Sequence, residues 1–112
     1  MTTVLRYREF NQVFTTAIDE VITELLGHNV LESLYTALAT YHDIQRDELP
    51  YRLDTAYSVL EQTFGVDGAR TIGMRIVHRL YDKLNLPLIR ESGYTAIDYV
   101  NVVKKKLGDW GP

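Results

Sequence analysis

Three histidines are the first side chains to consider for chemistry, because imidazole is the commonest acid–base group near neutral pH. His28, His42 and His78 lie far apart in the sequence, and none belongs to a metal-binding spacing such as His-Glu-x-x-His. His78 and Asp82 are four residues apart, so they share a helical face and could hold a metal or orient an imidazole. A solvated face with a helix-stabilising pair explains the same spacing. We therefore predict neither a catalytic nor a metal-binding histidine.

Three carboxylates on one segment, Asp19, Glu20 and Glu24, are the second candidates. Glu20 and Glu24 have the one-turn spacing found in di-metal carboxylate bundles, but those bundles also use Glu-x-x-His motifs, which this chain lacks. We predict that these carboxylates lie opposite an apolar stripe and face solvent. The chain has no cysteine, which excludes a thiolate zinc site, a disulfide and a cysteine nucleophile. The resulting expectation is a protein that is not an enzyme and that has no cofactor.

A row of basic residues, Arg75, Arg79 and Lys83, follows at four-residue steps. It comes after the short glycine-containing segment 65–68, so the helix predicted around Ala69–Leu84 could be the second helix of a helix-turn-helix. An acidic residue interrupts this face, and no Asn or Gln accompanies the arginines to read adenine. DNA binding through this surface is therefore an alternative and not the leading prediction.

Charge and composition describe an ordinary globular domain. The 112 residues carry a net charge of −3, with 46% hydrophobic and 24% charged residues. Residues 1–60 hold four Arg and nine Asp/Glu, whereas residues 61–112 hold eight Lys/Arg and six Asp/Glu. This small basic excess is weak support for nucleic-acid binding. The absence of cysteines, of a signal peptide and of a long apolar run predicts a soluble cytoplasmic protein that is complete as written and has no membrane partner.

Hydrophobic periodicity predicts an all-α protein, a compact bundle of about five helices in a single domain over residues 1–112. An N-terminal arm at 1–8 and a frayed tail at 108–112 flank a helical core at 9–107. Asn29 with Glu32 is interpreted as the capping box of the second helix, and residues 44–52 as a loop held by buried Ile44 and Leu49. The predicted helices run from about Glu9 to Leu26, Asn29 to Asp43, Leu53 or Asp54 to Phe64, just after Asp67 to Leu84, and Thr95 to Leu107.

The first predicted helix has an unusually wide apolar stripe. It covers roughly 200° of the helix surface, whereas an ordinary amphipathic helix shows about 100°. Such a helix is either central to the fold or shared with a partner. Its apolar residues are therefore the predicted interface, and they are Phe10, Phe14, Ile18, Ile22 and Leu26.

Glycine and tyrosine add two further predictions. Gly73 lies within the apolar face of its helix, where glycine is unfavourable by about 0.5–1 kcal/mol against alanine, so a neighbouring helix should approach closely there. The eight tyrosines are an excess for this length. Four are predicted to pack in or beside the core with hydrogen-bonded hydroxyls, namely Tyr35, Tyr57, Tyr81 and Tyr99. Three in loops or at the terminus are better candidates for contacts with a partner, namely Tyr7, Tyr51 and Tyr94.

Several short motifs together resemble one protein family. They are Ala17-Ile18-Asp19-Glu20-Val21-Ile22, Leu25-Leu26-Gly27, Leu34-Tyr35-x-x-Leu38, Asp47-Glu48-Leu49-Pro50, Leu60-x-x-x-Phe64-Gly65, Leu80-Tyr81-x-Lys83-Leu84 and Asp98-Tyr99-Val100. In this order they resemble the archaeal Nitrosopumilus output domains, over roughly residues 15–105. The resemblance implies a compact helical module of signal transduction, of a kind that often follows sensory or receiver domains. It implies no defined activity and no functional residues.

The leading functional hypothesis is a non-enzymatic regulatory or signalling module that binds a protein partner, with a homodimer as the simplest case. Two alternatives stay open at this point. One is the DNA-binding regulator described above, and the other is a sensor of a small ligand held between the helices.

Overall fold

A computed structural model describes the backbone of residues 2–107 and the side chains of residues 9–107. The four α-helices are α1 (Thr2–Leu26), α2 (His28–His42), α3 (Leu53–Lys83) and α4 (Ala96–Lys106), and a 3₁₀ helix spans Arg46–Tyr51. No strand occurs within the described residues, which confirms the all-α prediction. None of the helices in this part of the chain has the length and apolar character needed to cross a membrane. The tail predicted to fray, residues 108–112, lies outside the described residues.

The first helix is the central helix of the bundle. It begins at Thr2, seven residues before the predicted start at Glu9, so the segment predicted as an arm is helical from Thr2. It contacts α2, α3 and the 3₁₀ helix. Because three elements surround it, α1 buries an apolar surface much wider than that of a helix with a single neighbour.

The second helix begins without the predicted capping box. Gly27 is the N-cap residue, with φ 98° and ψ 161°, and no side chain caps the helix. The predicted cap, Asn29, is already inside the helix, because the chain turns at Gly27 and α2 starts at the next residue. Glycine adopts this backbone conformation readily, whereas other residues rarely do. The prediction at Asn29 was wrong because the turn needs only one residue.

The segment predicted as a loop contains the 3₁₀ helix. Gln45 and Glu48 form a reciprocal capping box at its start, in which the Gln45 backbone amide donates to Glu48 Oε1 at 2.7 Å. Ile44 and Leu49 are buried as predicted, with 1% and 3% of their surface exposed. These two side chains hold the connection between α2 and α3 against the core.

Two glycines shape α3: one interrupts the helix, and the other lets a neighbouring helix approach it closely. Gly65, with φ 81° and ψ 169°, breaks the helical backbone where the sequence predicts a helix end, and the chain returns to a helix directly. At Gly73, a methyl group placed on the backbone would lie 3.0 Å from Ala96 Cβ and 3.1 Å from Tyr57 Cε1. The predicted close approach at Gly73 is confirmed, and α4 is the neighbouring helix.

Helix ends around the α3–α4 connection follow known capping chemistry. Asn85 has φ 60°, its amide donates to Asp82 O, and the Leu86 amide donates to Tyr81 O. This is a Schellman motif with asparagine at the left-handed position. At the start of α4, the Thr95 amide donates to Asp98 Oδ2 at 2.8 Å and the Asp98 amide donates to Thr95 Oγ1 at 3.3 Å. Both ends agree with the sequence-based prediction.

Candidate functional site

The histidines do not form a site within the described residues. His28 Nε2 lies 3.3 Å from Glu32 Oε2, and both side chains are about two-thirds exposed. His78 is exposed, and His42 ends α2. Among residues 9–107, no group of three or more histidine and carboxylate side chains could hold a metal ion. The predictions of no catalytic residue and no cofactor stay predictions.

The predicted basic surface and the predicted solvated carboxylates are joined to each other across α1 and α3. Arg79 donates to Glu24 Oε1 and Oε2 at 2.7 and 3.0 Å, and to Glu20 Oε1 at 2.9 Å. The ammonium group of Lys83 lies 3.1 Å from the Glu20 carboxylate. Arg75 is exposed. Glu20 pairs with Lys83, whereas Glu24, one turn further along α1, pairs with Arg79, one turn earlier on α3. These two segments therefore run antiparallel.

These ion pairs change the chemistry expected of both sets of residues. The hydrogen bond from Arg79 holds the pKa of Glu20 and of Glu24 below the usual range of a glutamate. Two of the three predicted basic side chains are therefore neutralised by carboxylates. The basic row considered for the DNA-binding alternative is therefore paired at Arg79 and Lys83, because α1 lies against this side of α3, which the sequence does not show.

A second polar cluster joins α1, α2 and the 3₁₀ helix. Tyr35 donates its hydroxyl proton to Asp19 Oδ1 at 2.6 Å, and Arg46 Nη2 donates to Asp19 Oδ2 at 2.5 Å. The Arg46 guanidinium carbon lies 5.9 Å from the centre of the Tyr35 ring. Burial, with the negative charge of Asp19, raises the pKa of the Tyr35 phenol. The phenol is thus neutral and fixed, which suits a structural contact.

The predicted interface on α1 lies mostly inside the protein. Phe10, Phe14 and Ile22 are exposed by only 0%, 4% and 3%, and Ile18 packs against the same core. Of the two possibilities that the sequence left open for this apolar surplus, these residues take the first, since the protein's own helices cover them. Leu26 alone of the five is exposed, and it lies at the end of α1.

Tyrosines organise the α3–α4 connection, which spans residues 84–95. The Tyr81 hydroxyl donates to the backbone oxygen of Tyr99 at 2.7 Å, and the Tyr99 hydroxyl accepts from the Glu91 amide at 2.9 Å. The Tyr94 ring packs edge-on against the Tyr99 ring, with ring centres 5.2 Å apart. Tyr81 and Tyr99 are buried, as predicted, and their hydroxyls are satisfied. The connection is therefore held to the bundle at several points.

The connection also exposes apolar side chains. Leu86 and Leu88 pack against the core, whereas Ile89 is 67% exposed and Tyr94 is 44% exposed. Pro87, between the two leucines, is exposed as well. We call the exposed set Pro87, Ile89 and Tyr94 the connection surface. Exposure of Tyr94 agrees with its prediction as a contact residue.

Sequence reasoning missed Pro87 and Ile89. The available signal was the run Leu86-Pro87-Leu88-Ile89, four apolar residues inside a predicted loop. Loop segments are normally polar, and in this run Leu86 and Leu88 pack against the core while Pro87 and Ile89 are exposed. Tyr51, the second predicted contact residue, is 47% exposed at the end of the 3₁₀ helix. The side chain of Tyr7, the third, lies outside the described residues.

The described residues define a single class of fold, an all-α helical bundle built around α1. Comparison with known proteins adds no family to this description: no family model, no curated protein and no solved structure matches the chain.

Proposed function

We propose that this chain is a non-enzymatic regulatory module that acts through protein contact, and that its first partner is a second copy of itself. The single observation that carries the proposal is the connection surface. Ile89 and Tyr94 are exposed on one short segment, and Tyr99 holds that segment through a hydrogen bond and a ring contact.

The fixed conformation of the connection supports a binding role for its exposed apolar side chains. An apolar loop that is already fixed loses little conformational freedom when it binds, so more of the contact energy becomes affinity. Tyrosine is also enriched at protein interfaces, since its ring supplies contact area and its hydroxyl tolerates water. A second copy of the chain is the simplest partner, because the same surface on two copies can pack against itself across a two-fold axis.

The DNA-binding alternative has less support. Arg79 and Lys83 lie in ion pairs with α1 carboxylates. Binding phosphate through them would require those pairs to open, and the adjoining carboxylates would repel the phosphate.

Sedimentation velocity tests the proposal on the natural sequence and on two single variants, at concentrations from micromolar to several hundred micromolar. The natural sequence should show a concentration-dependent dimer, and Ile89→Glu should weaken the dimer at least tenfold. Tyr41→Glu is the matched control, because Tyr41 is also an exposed aromatic residue, at 78%, but belongs to α2 and not to the connection. A strict monomer at the highest concentration, or an equal loss in both variants, would overturn the proposal.

A further inference from the structure

An apolar cavity of about 90 Å³ lies between the helices. Residues of all four α-helices and Leu49 of the 3₁₀ helix form its wall. Among residues 9–107, the wall contains no charged side chain, and most of it is aliphatic, with three aromatic rings from Phe14, Tyr35 and Tyr57. The space therefore has the chemical character of a hydrocarbon pocket.

Water is a poor occupant of this cavity. A water inside it would need two to four hydrogen-bond partners, and the apolar lining offers few. The hydroxyl of Tyr35 is already used, because it donates to Asp19. Its ring lines the cavity while its polar atom is satisfied outside.

General looseness of the fold does not explain the cavity. Gly73 and Ala96 both border it, and at this point of the wall α3 and α4 lie so close that a methyl group on Gly73 would be 3.0 Å from Ala96 Cβ. Protein interiors are normally filled to the density of organic crystals. A space beside such a close contact indicates that these side chains leave room for something else.

One side of the cavity wall is open enough for entry. Four lining residues on the first half of α3, namely Leu53, Ala56, Tyr57 and Leu60, are only half-buried. Gly65 ends this half of the helix with a non-helical backbone, so the half can shift without bending a continuous helix. A small molecule can reach the cavity along this side.

We infer that the cavity binds a compact, uncharged, apolar molecule with the bulk of about one benzene ring. An engineered protein cavity of roughly 150 Å³ with similar lining binds benzene, and the space here is smaller, at about 90 Å³, but has a half-buried side along the first half of α3. A charged or strongly polar molecule would lose its hydration without gaining a partner in the wall. The site is separate from the connection surface and does not depend on self-association.

Methyl-selective NMR on the full chain, with benzene as the probe and benzoate as its charged counterpart, tests this inference. Benzene should give saturable shifts at Ile22, Ile76 and Val77, which line the cavity. Ile72 and Val103 are buried outside the lining and should move little. Benzoate at neutral pH should produce no saturable change.

Two variants with the same added bulk complete the experiment. Ala56→Leu places a larger side chain at the cavity wall and should weaken benzene binding at least tenfold. Ala39→Leu is the matched control, because Ala39 is also half-buried but does not line the cavity. Binding that survives in Ala56→Leu, or shifts of equal size at lining and non-lining methyl groups, would overturn the inference. If Ala56→Leu does not fold, the methyl pattern and the benzoate comparison on the natural chain decide the question alone.

Discussion

The interior of this protein contains two neighbouring regions with opposite packing. At the α3–α4 seam, defined by Gly73 with Ala96 and by Tyr81 with Tyr99, the helices lie so close that a methyl group added to Gly73 would be 3.0 Å from Ala96 Cβ, and a buried hydrogen bond of 2.7 Å joins them. In the adjoining central cavity about 90 Å³ is unfilled. Gly73 and Ala96 belong to both regions.

This difference shows how the chain distributes its side-chain volume. Small residues at the seam let two helix backbones approach, and the approach fixes α4 together with the connection before it. The larger aliphatic residues around the cavity do not fill the space that this arrangement leaves. The seam is therefore expected to tolerate no added volume, and the cavity to accept it.

The largest effect is expected where a fully buried leucine is removed from the well-packed region. Leu80 is 0% exposed and does not line the cavity, so Leu80→Ala should destabilise the fold by about 3–5 kcal/mol. Leu34 is 8% exposed and lines the cavity, so Leu34→Ala enlarges a space that already exists. Urea unfolding of both variants measures the free energy of unfolding.

Benzene separates the two leucine variants. A ligand that binds only the folded state raises its stability, so benzene should restore more stability to Leu34→Ala than to Leu80→Ala. Equal recovery in both variants would show that the two regions do not differ in the way described, and the natural chain with benzene is the reference.

The next largest change in stability should come from added side-chain volume at the seam. Gly73→Ala gains about 1 kcal/mol of helix propensity but places a methyl group 3.0 Å from Ala96 Cβ. Overpacking of this kind is unfavourable by about 1–3 kcal/mol, so the net change should be a loss of stability. The double variant Gly73→Ala with Ala96→Gly moves the methyl group from one helix to the other and should recover part of the loss. Thermal unfolding of the two single variants and the double variant gives the coupling directly. A stabilised Gly73→Ala would contradict the close contact.

Much of this arrangement was predictable from the sequence, but only where the signal is local. The Thr95/Asp98 capping box, the helix stop at Asn85 and the interruption at Gly65 follow from backbone chemistry within a few residues. Gly73 was predicted as a close contact because glycine on an apolar helix face needs a reason. Its partner, Ala96, was not predictable, since it comes from a different helix.

The site residues were less predictable, for the same reason. Arg79 was interpreted as part of a free basic face, although Glu20 and Glu24 satisfy it from a helix more than fifty residues away in sequence. The cavity has no sequence signature, because it depends on how side chains from four α-helices and the 3₁₀ helix meet. Periodicity indicates which residues face inward, but it does not indicate whether they fill the space between them.

Added volume in the cavity should act in the opposite direction from added volume at the seam. Ala56→Leu fills part of the space, and cavity filling commonly stabilises proteins by about 0.5–2 kcal/mol. We expect a gain near the lower end, because Ala56 is only half-buried. Ala39→Leu should change the unfolding free energy less, and urea unfolding of the pair makes the comparison. A loss in Ala56→Leu as large as that of Gly73→Ala would mean that the cavity side is as tightly packed as the seam.

The smallest effect is expected at the ion pairs between α1 and α3, which are more exposed than the seam and the cavity. Because Arg79 lowers the folded-state pKa of Glu20 and Glu24, their contribution is present above the unfolded pKa, for which the usual glutamate value is 4.5, and is lost as pH falls through the lowered pKa. The melting temperature should therefore fall as the pH drops below about 5. The fall of the melting temperature in acid should be smaller in the double variant Glu20→Gln/Glu24→Gln. High salt, which screens exposed charges, should reduce that fall as well. Glu32→Gln is the matched control, because it removes a carboxylate from an exposed pair with His28 that lies within α2 and joins no two helices. If the double variant keeps the full acid dependence of the natural chain, the ion pairs between α1 and α3 do not stabilise the bundle, and the apolar packing at the seam and around the cavity must account for its stability.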